Sequence, residues 1–227
     1  MRGDRVSQFS LLCALVVALG LTMLLGDPPP AQATCTTQDG HKAGHDQDIL
    51  HTFQGMHAKI YMQHFDYDQC DSTRSINVWR NGDSAEIGWS AVNGRQPVVF
   101  TNYVLDGHSH GPYLKSYSVS AGETHDFKIV NGNQNNYWAL DFDGAYVGSF
   151  YQNYSHALEV VPQAEREASQ DSLWAHFHGL TDCNDSGCTL KPFFSLEYAG
   201  DFSVNSSDYH YCPIDNTEFY VKQSCQP

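Results

Sequence analysis

Between residues 75 and 178, apolar and polar positions alternate in short runs broken by Asn-Gly and Asp-Gly pairs. This pattern predicts β-strands joined by tight turns. The runs fall at 75–79, 84–92, 98–105, 113–119, 125–130, 137–142, 145–151, 159–167 and 173–177, and helical periodicity is nearly absent among them. Many short strands without intervening helices favour an antiparallel β-sandwich or jelly roll over a parallel α/β sheet. The expected class is therefore all-β, with residues 75–180 as the body. Residues 34–74 are polar and His-rich, with helical spacing at Ile49, Phe53, Met56, Ile60 and Tyr61, and are expected to form an N-terminal arm. Residues 181–227 are expected to be disulfide-pinned loops packed on the body, with further strands near 193–198 and 218–222.

The first 33 residues follow a different logic. Arg2 and Arg5 precede an apolar stretch over 11–25, then Pro28-Pro29-Pro30 and Ala31-Gln32-Ala33. That order is a secretory signal with an A-x-A cleavage site. The apolar stretch is shorter than the ~20 residues of a membrane-spanning helix. A secreted protein with no membrane attachment after cleavage is expected. Removal of the signal takes Cys13 with it and leaves Cys35, Cys70, Cys183, Cys188, Cys212 and Cys225. An even number of cysteines outside the cytoplasm predicts disulfides. Sequential pairing, 35–70, 183–188 and 212–225, closes the shortest loops. The spacings do not fit the paired C-x₂-C ligands of a structural zinc site.

Composition narrows the partners. Lys and Arg total 12 against 26 Asp and Glu, a formal charge of −14. Such a chain repels polyanions, which excludes nucleic acid as a partner. Aromatic residues at 13% make a packed core or a stacking surface available. An extracellular peptide or glycan is the expected ligand, and the sequence leaves the oligomeric state open.

Strand alternation separates the faces of the run 84–92. Ala85, Ile87, Trp89 and Ala91 fall on one side and Glu86 on the other. Over 161–168, Val161, Gln163, Glu165 and Glu167 oppose Pro162, Ala164, Arg166 and Ala168. Two carboxyls sharing one groove cannot both ionise cheaply, so one serves as an acid and the other as a base. Such a pair activates water against an amide or a glycosidic bond. The bland account of each glutamate alone is a solvated outward position.

Ser84-Ala85-Glu86-Ile87-Gly88-Trp89, followed by 100–107, resembles the E-x-G-W strand and following aromatic strand of neprosin-type glutamic peptidases. Asn136-Tyr137-Trp138-Ala139-Leu140 and Val147-Gly148-Ser149-Phe150 are similar to that family's N-W-W-L and V-G-Y-W segments. Ala164-Glu165-Arg166-Glu167 stands where the second catalytic glutamate would be. Residues 120–123, ahead of the hairpin at 138–144, are also similar to the fungal glutamic peptidases, the eqolisins. The resemblance covers about 75–178. It implies a concanavalin-like jelly roll with a polar groove, with Glu86 the first catalytic residue and Glu165 the second, Glu167 being the alternative. The plant neprosins' cysteine-containing insertion after Tyr103 is missing here, and their doubled glycine reads Gln163-Ala164. The eqolisin glutamine finds no clear counterpart, with Glu86 in its neighbourhood.

Trp174, Tyr103, Tyr137 and His176 are expected to bind substrate, since aromatic and imidazole rings stack on peptide or sugar. Trp89 and Trp138 fall on apolar strand faces and are expected in the core. Twelve histidines is a high count, and His108-x-His110 and His176-x-His178 have the spacing of paired metal ligands. Surface polarity and a pH-responsive patch are the competing readings, and no metal or other cofactor is assigned. H-E-x-x-H, G-x-S-x-G, the P-loop and G-x-G-x-x-G are all missing, which removes zincin, serine hydrolase and nucleotide chemistry. Two functions follow: a secreted glutamic endopeptidase working at acid pH, or a non-catalytic glycan- or peptide-binding β-sandwich module. Sequons begin at Asn153, Asn184 and Asn205.

Overall fold

The alternating runs assemble into two antiparallel sheets. The structure is a computed structural model, and it describes residues 40–46, 52–61, 72–91, 97–120, 122–131, 135–166, 173–183, 188–200 and 209–226. Contacts divide the chain into Met1–Thr34 and Cys35–Pro227, and every described residue belongs to the second unit. The proposed signal, Cys35, Cys70, Glu167, Asn184 and Asn205 lie outside the described residues.

The strands are β1 (Gly40–Asp46), β2 (Gly55–Tyr61), β3 (Ser72–Arg80), β4 (Asp83–Ala91), β5 (Val98–Leu105), β6 (His108–Ser118), β7 (Thr124–Val130) and β8 (Tyr137–Phe142). They continue with β9 (Ala145–Tyr151), β10 (Glu159–Arg166), β11 (Ala175–Cys183), β12 (Lys191–Pro192), β13 (Leu196–Gly200), β14 (His210–Asp215) and β15 (Glu218–Lys222). One sheet has seven strands in the order β13-β1-β10-β3-β4-β5-β6. The other has eight, β14-β15-β11-β2-β7-β8-β9 with β12 on β11. This is an all-β antiparallel sandwich of the concanavalin-like jelly-roll class.

Local chemistry explains the hairpins. At Asn81-Gly82, Asp106-Gly107 and Asp143-Gly144 both turn residues have φ between 48° and 90°. That left-handed pair defines the turn whose twist matches its flanking strands, and Asn, Asp and Gly tolerate it best. Between the sheets lie Met56, Ile60, Ile76, Val78, Ile87, Trp89, Phe127, Trp138, Leu140, Phe177 and Phe219, all fully buried. Arg74 shares this interior. Its Nε donates to Trp174 O at 2.7 Å, its Nη1 donates to Thr73 O at 2.9 Å, and its guanidinium lies 5.2 Å from the Trp89 ring centre.

Two expectations change. The spacing at Phe53, Met56 and Ile60 is not helical: residues 55–61 form β2, whose Met56, Ala58 and Ile60 alternate into the core. Met56 and Ile60, four residues apart, also satisfy a period of two, and pairing with β11 and β7 on either side decides the outcome. The arm and the C-terminal stretch likewise contribute strands to the sheets. β1 lies between β13 and β10, and β14, not expected from the sequence, pairs with β15. Disulfides join Cys183 to Cys188 and Cys212 to Cys225, two of the sequential pairings.

Candidate active site

Register places the key residues. Across the seven-stranded sheet, Val161 of β10 is opposite Asn77 of β3, which is opposite Glu86 of β4, which is opposite Asn102 of β5. Ala85 and Ile87 point into the core, so this row lies on the sheet's other face. The next row on that face holds Gln163, Ser75, Gly88, Phe100 and Leu114, and the one after it Glu165, Thr73, Ser90 and Val98. Glu86 and Glu165 therefore share a face, although they come from strands far apart in sequence.

The Glu86 side chain is 7% exposed. Ser75 Oγ donates to its Oε1 at 2.6 Å, Gln163 Nε2 donates to the same oxygen at 3.3 Å, and Asn102 Nδ2 donates to Oε2 at 3.2 Å. Asn77 Nδ2 donates to Ser75 Oγ at 3.4 Å and extends the network. Burial pushes the Glu86 carboxyl up from an ordinary 4.5 to about 7, and the charge of Glu165 adds to the rise. The three donors pull the other way without cancelling it. Glu165 is half-buried, and Thr73 Oγ1 donates to its Oε2 at 3.4 Å.

The small residue at position 88 has a packing reason. A Cβ there would meet Arg74 O and come within 2.6 Å of Ser75 Cα and Cβ. Glycine thus lets β3 approach closely enough for the Ser75 hydroxyl to reach Glu86.

Ser75, Asn102 and Gln163 are the members that sequence reasoning did not assign. Alternation already put Gln163 on the side of Glu165, but the contact of Ser75 and Asn102 with Glu86 needs the cross-strand register. The expected substrate-binding residues are not gathered with the glutamates. Trp174 and His176 lie on the outer face of the eight-stranded sheet, where His176 stacks on Tyr220 at 4.0 Å and Trp174 meets Tyr61 edge-on at 5.9 Å. Tyr137 is on that sheet too, against Tyr151, with its neighbour Trp138 in the core. Tyr103 turns between the sheets and packs on Phe150 at 4.4 Å. Strand alternation within one strand cannot reveal which sheet a ring will face.

Several histidines hold carboxylates. His57 contacts Asp126 at 2.7 Å, His125 contacts Asp143 at 2.9 Å and His176 contacts Glu218 at 2.9 Å. Among the described residues no three His, Cys, Asp or Glu side chains converge as a metal site.

The fold has solved counterparts. A scytalido-glutamic peptidase bound to a transition-state analogue inhibitor superposes with a TM-score of 0.56, at 9% identity, over 82% of this chain and 98% of that one. In fold, the chain resembles the glutamic peptidases. SCP-B, a member of the eqolisin family solved with the tripeptide Ala-Ile-His, matches at a TM-score of 0.54, again at 9% identity, with the same coverage. No family model matches the chain, and no curated protein does. The likeness to the glutamic peptidases is one of architecture, reached with little shared sequence.

Proposed function

We propose that the protein is a secreted glutamic-peptidase-like hydrolase that cleaves peptide bonds at acid pH. One observation carries this reading: a carboxyl buried in a sheet face, held by three donors, on the same face as a second carboxyl whose charge acts on it, and raised to about 7. Below that pH Glu86 keeps its proton and can serve as the acid that protonates the departing amine. Glu165 is the base that takes a proton from water as the water oxygen attacks the carbonyl carbon. The Gln163 amide, already aimed at the carboxyl, supplies an N–H for the oxyanion that forms. Collapse of the tetrahedral species breaks the C–N bond and leaves an acid and an amine. An extended extracellular peptide is the substrate. No described helix is long and apolar enough to cross a membrane, and the two disulfides agree with an oxidising compartment.

A second reading is a non-catalytic module that binds peptide or glycan on the same face. It is favoured by register, because Glu165 stands four residues along β10 from Val161, about 13 Å along the strand. Gln163, at half that offset, is the β10 side chain that touches Glu86.

Casein hydrolysis across pH 3–7 separates the two. The hydrolase reading expects activity at acid pH that declines toward pH 7 as Glu86 loses its proton. Glu86→Gln and Glu165→Gln should each cost about 100-fold or more. Wild-type protein inactive at every pH, with ligand binding that survives both substitutions, makes it a binding module.

A further inference from the structure

One row from Glu86, on the same face, Trp79 of β3 lies between Glu159 of β10 and Ser84 of β4. The row is at the rim, next to the Asn81-Gly82 turn. Its chemistry is unlike that of the row beside it. Asn77 is buried, whereas Trp79 is 37% exposed and Glu159 is exposed. Among the described residues the Trp79 indole stacks on no ring and carries no cation, and no Lys or Arg pairs with Glu159. By contrast, Arg74, Arg166 and Lys222 each lie over an aromatic ring of their own: Trp89, Tyr209 and Tyr220.

An exposed indole beside an exposed carboxylate is a receptor for a cationic side chain. The ring quadrupole attracts the charge, the carboxylate pairs with it, and the aliphatic stem of Lys or Arg covers the apolar ring. The formal charge of −14 draws basic ligands toward the whole surface and disfavours acidic ones. Spacing fits as well. Trp79 and Glu86 are about 8 Å apart in the sheet, close to the ~6.8 Å repeat of same-side residues along an extended strand. We propose that Trp79 and Glu159 form a subsite for the Lys or Arg side chain of an extended peptide, within two residues of the backbone held at Glu86. The subsite names a substrate class and rests on the peptide-binding reading above, but it does not depend on turnover.

The test uses the full chain carrying Glu86→Gln, which blocks hydrolysis under the proposed mechanism. Two acetylated alanine-based hexapeptides, identical except for one Lys or one norleucine, are titrated at low salt and at 0.5 M NaCl. The lysine peptide should bind about tenfold tighter at low salt, and salt should shrink the difference. Adding Trp79→Ala should weaken the lysine peptide about five- to tenfold, with Trp79→Phe recovering most of that loss. Glu159→Gln should bring the two peptides to near equality. The subsite is overturned by equal binding of both peptides, by no binding of either at millimolar concentration, or by a lysine preference that survives both substitutions. If the preference holds while casein is never cut, only the hydrolase reading fails. If casein is cut without the preference, only the subsite fails.

Discussion

At the scale of a residue, Glu86 shows how burial and hydrogen bonding compete over one proton. Removal from water raises its pKa to about 7, while Ser75, Asn102 and Gln163 each favour the anion. The unfolded chain releases that proton near 4.5 and the folded chain near 7, so the unfolded state binds fewer protons in between. Stability from this group is therefore intact at acid pH, falls as pH rises from about 4.5 to about 7, and stays lowered above that. The span corresponds to about 3 kcal/mol. Position 86 cannot ionise in Glu86→Gln, so the variant lacks this contribution while every other group titrates as before. Thermal melts from pH 4 to pH 8 check this: wild type should lose midpoint relative to the variant as pH rises. Parallel curves for the two proteins would show that Glu86 ionises normally. The same property places the acid-active state and the more stable state on the same side of pH 7.

At the scale of an element, β3, β4 and β10 must keep register, because a slip of one residue turns Glu86 or Glu165 into the core. Gly88 guards that register by admitting β3 at a distance no side chain allows. Gly88→Ala forces β3 outward at Ser75 and should cost about 3 kcal/mol. Urea melts measure the loss, and the Ser75 to Glu86 hydrogen bond should lengthen with it, which weakens a donor that favours the anion and should move the midpoint of the acidic activity profile to higher pH. A stability change within 0.5 kcal/mol would mean that the strands have room to spare. The faces of these strands were legible beforehand. Ala85, Ile87 and Trp89 go inward and Glu86 outward, as period two requires. The arm was not legible, because Met56 and Ile60, four residues apart, satisfy both periods and only the neighbours β7 and β11 choose between them.

At the scale of the molecule, Arg74 ties the sheets together. Rooted in β3, it donates to the carbonyl of Trp174, just ahead of β11 in the opposite sheet, and to the carbonyl of Glu165 at 3.4 Å. Arg74→Ala leaves those carbonyls without this donor and opens a cavity against Trp89. A loss of about 3 kcal/mol or more is expected, because buried acceptors stranded from water are costly. Calorimetry should register it as a lowered midpoint for the whole transition. A shift confined to a few tenths of a kcal/mol would show that water or neighbouring donors take over the site.

The sequence by itself determined the strands of the body between 75 and 178, their inner and outer faces and the hairpin turns, and pointed to two disulfide pairings, because each depends on local periodicity, turn sterics or short loop closure. The tertiary structure decided which strands lie side by side. That choice joined Ser75, Asn102 and Gln163 to Glu86, brought Glu165 to the same face, set Trp79 beside Glu159, and sent Trp174, His176, Tyr137 and Tyr103 elsewhere. Contacts between strands distant in the chain arise from the packing of one sheet on another, and a pattern that repeats every two residues carries no record of its partner.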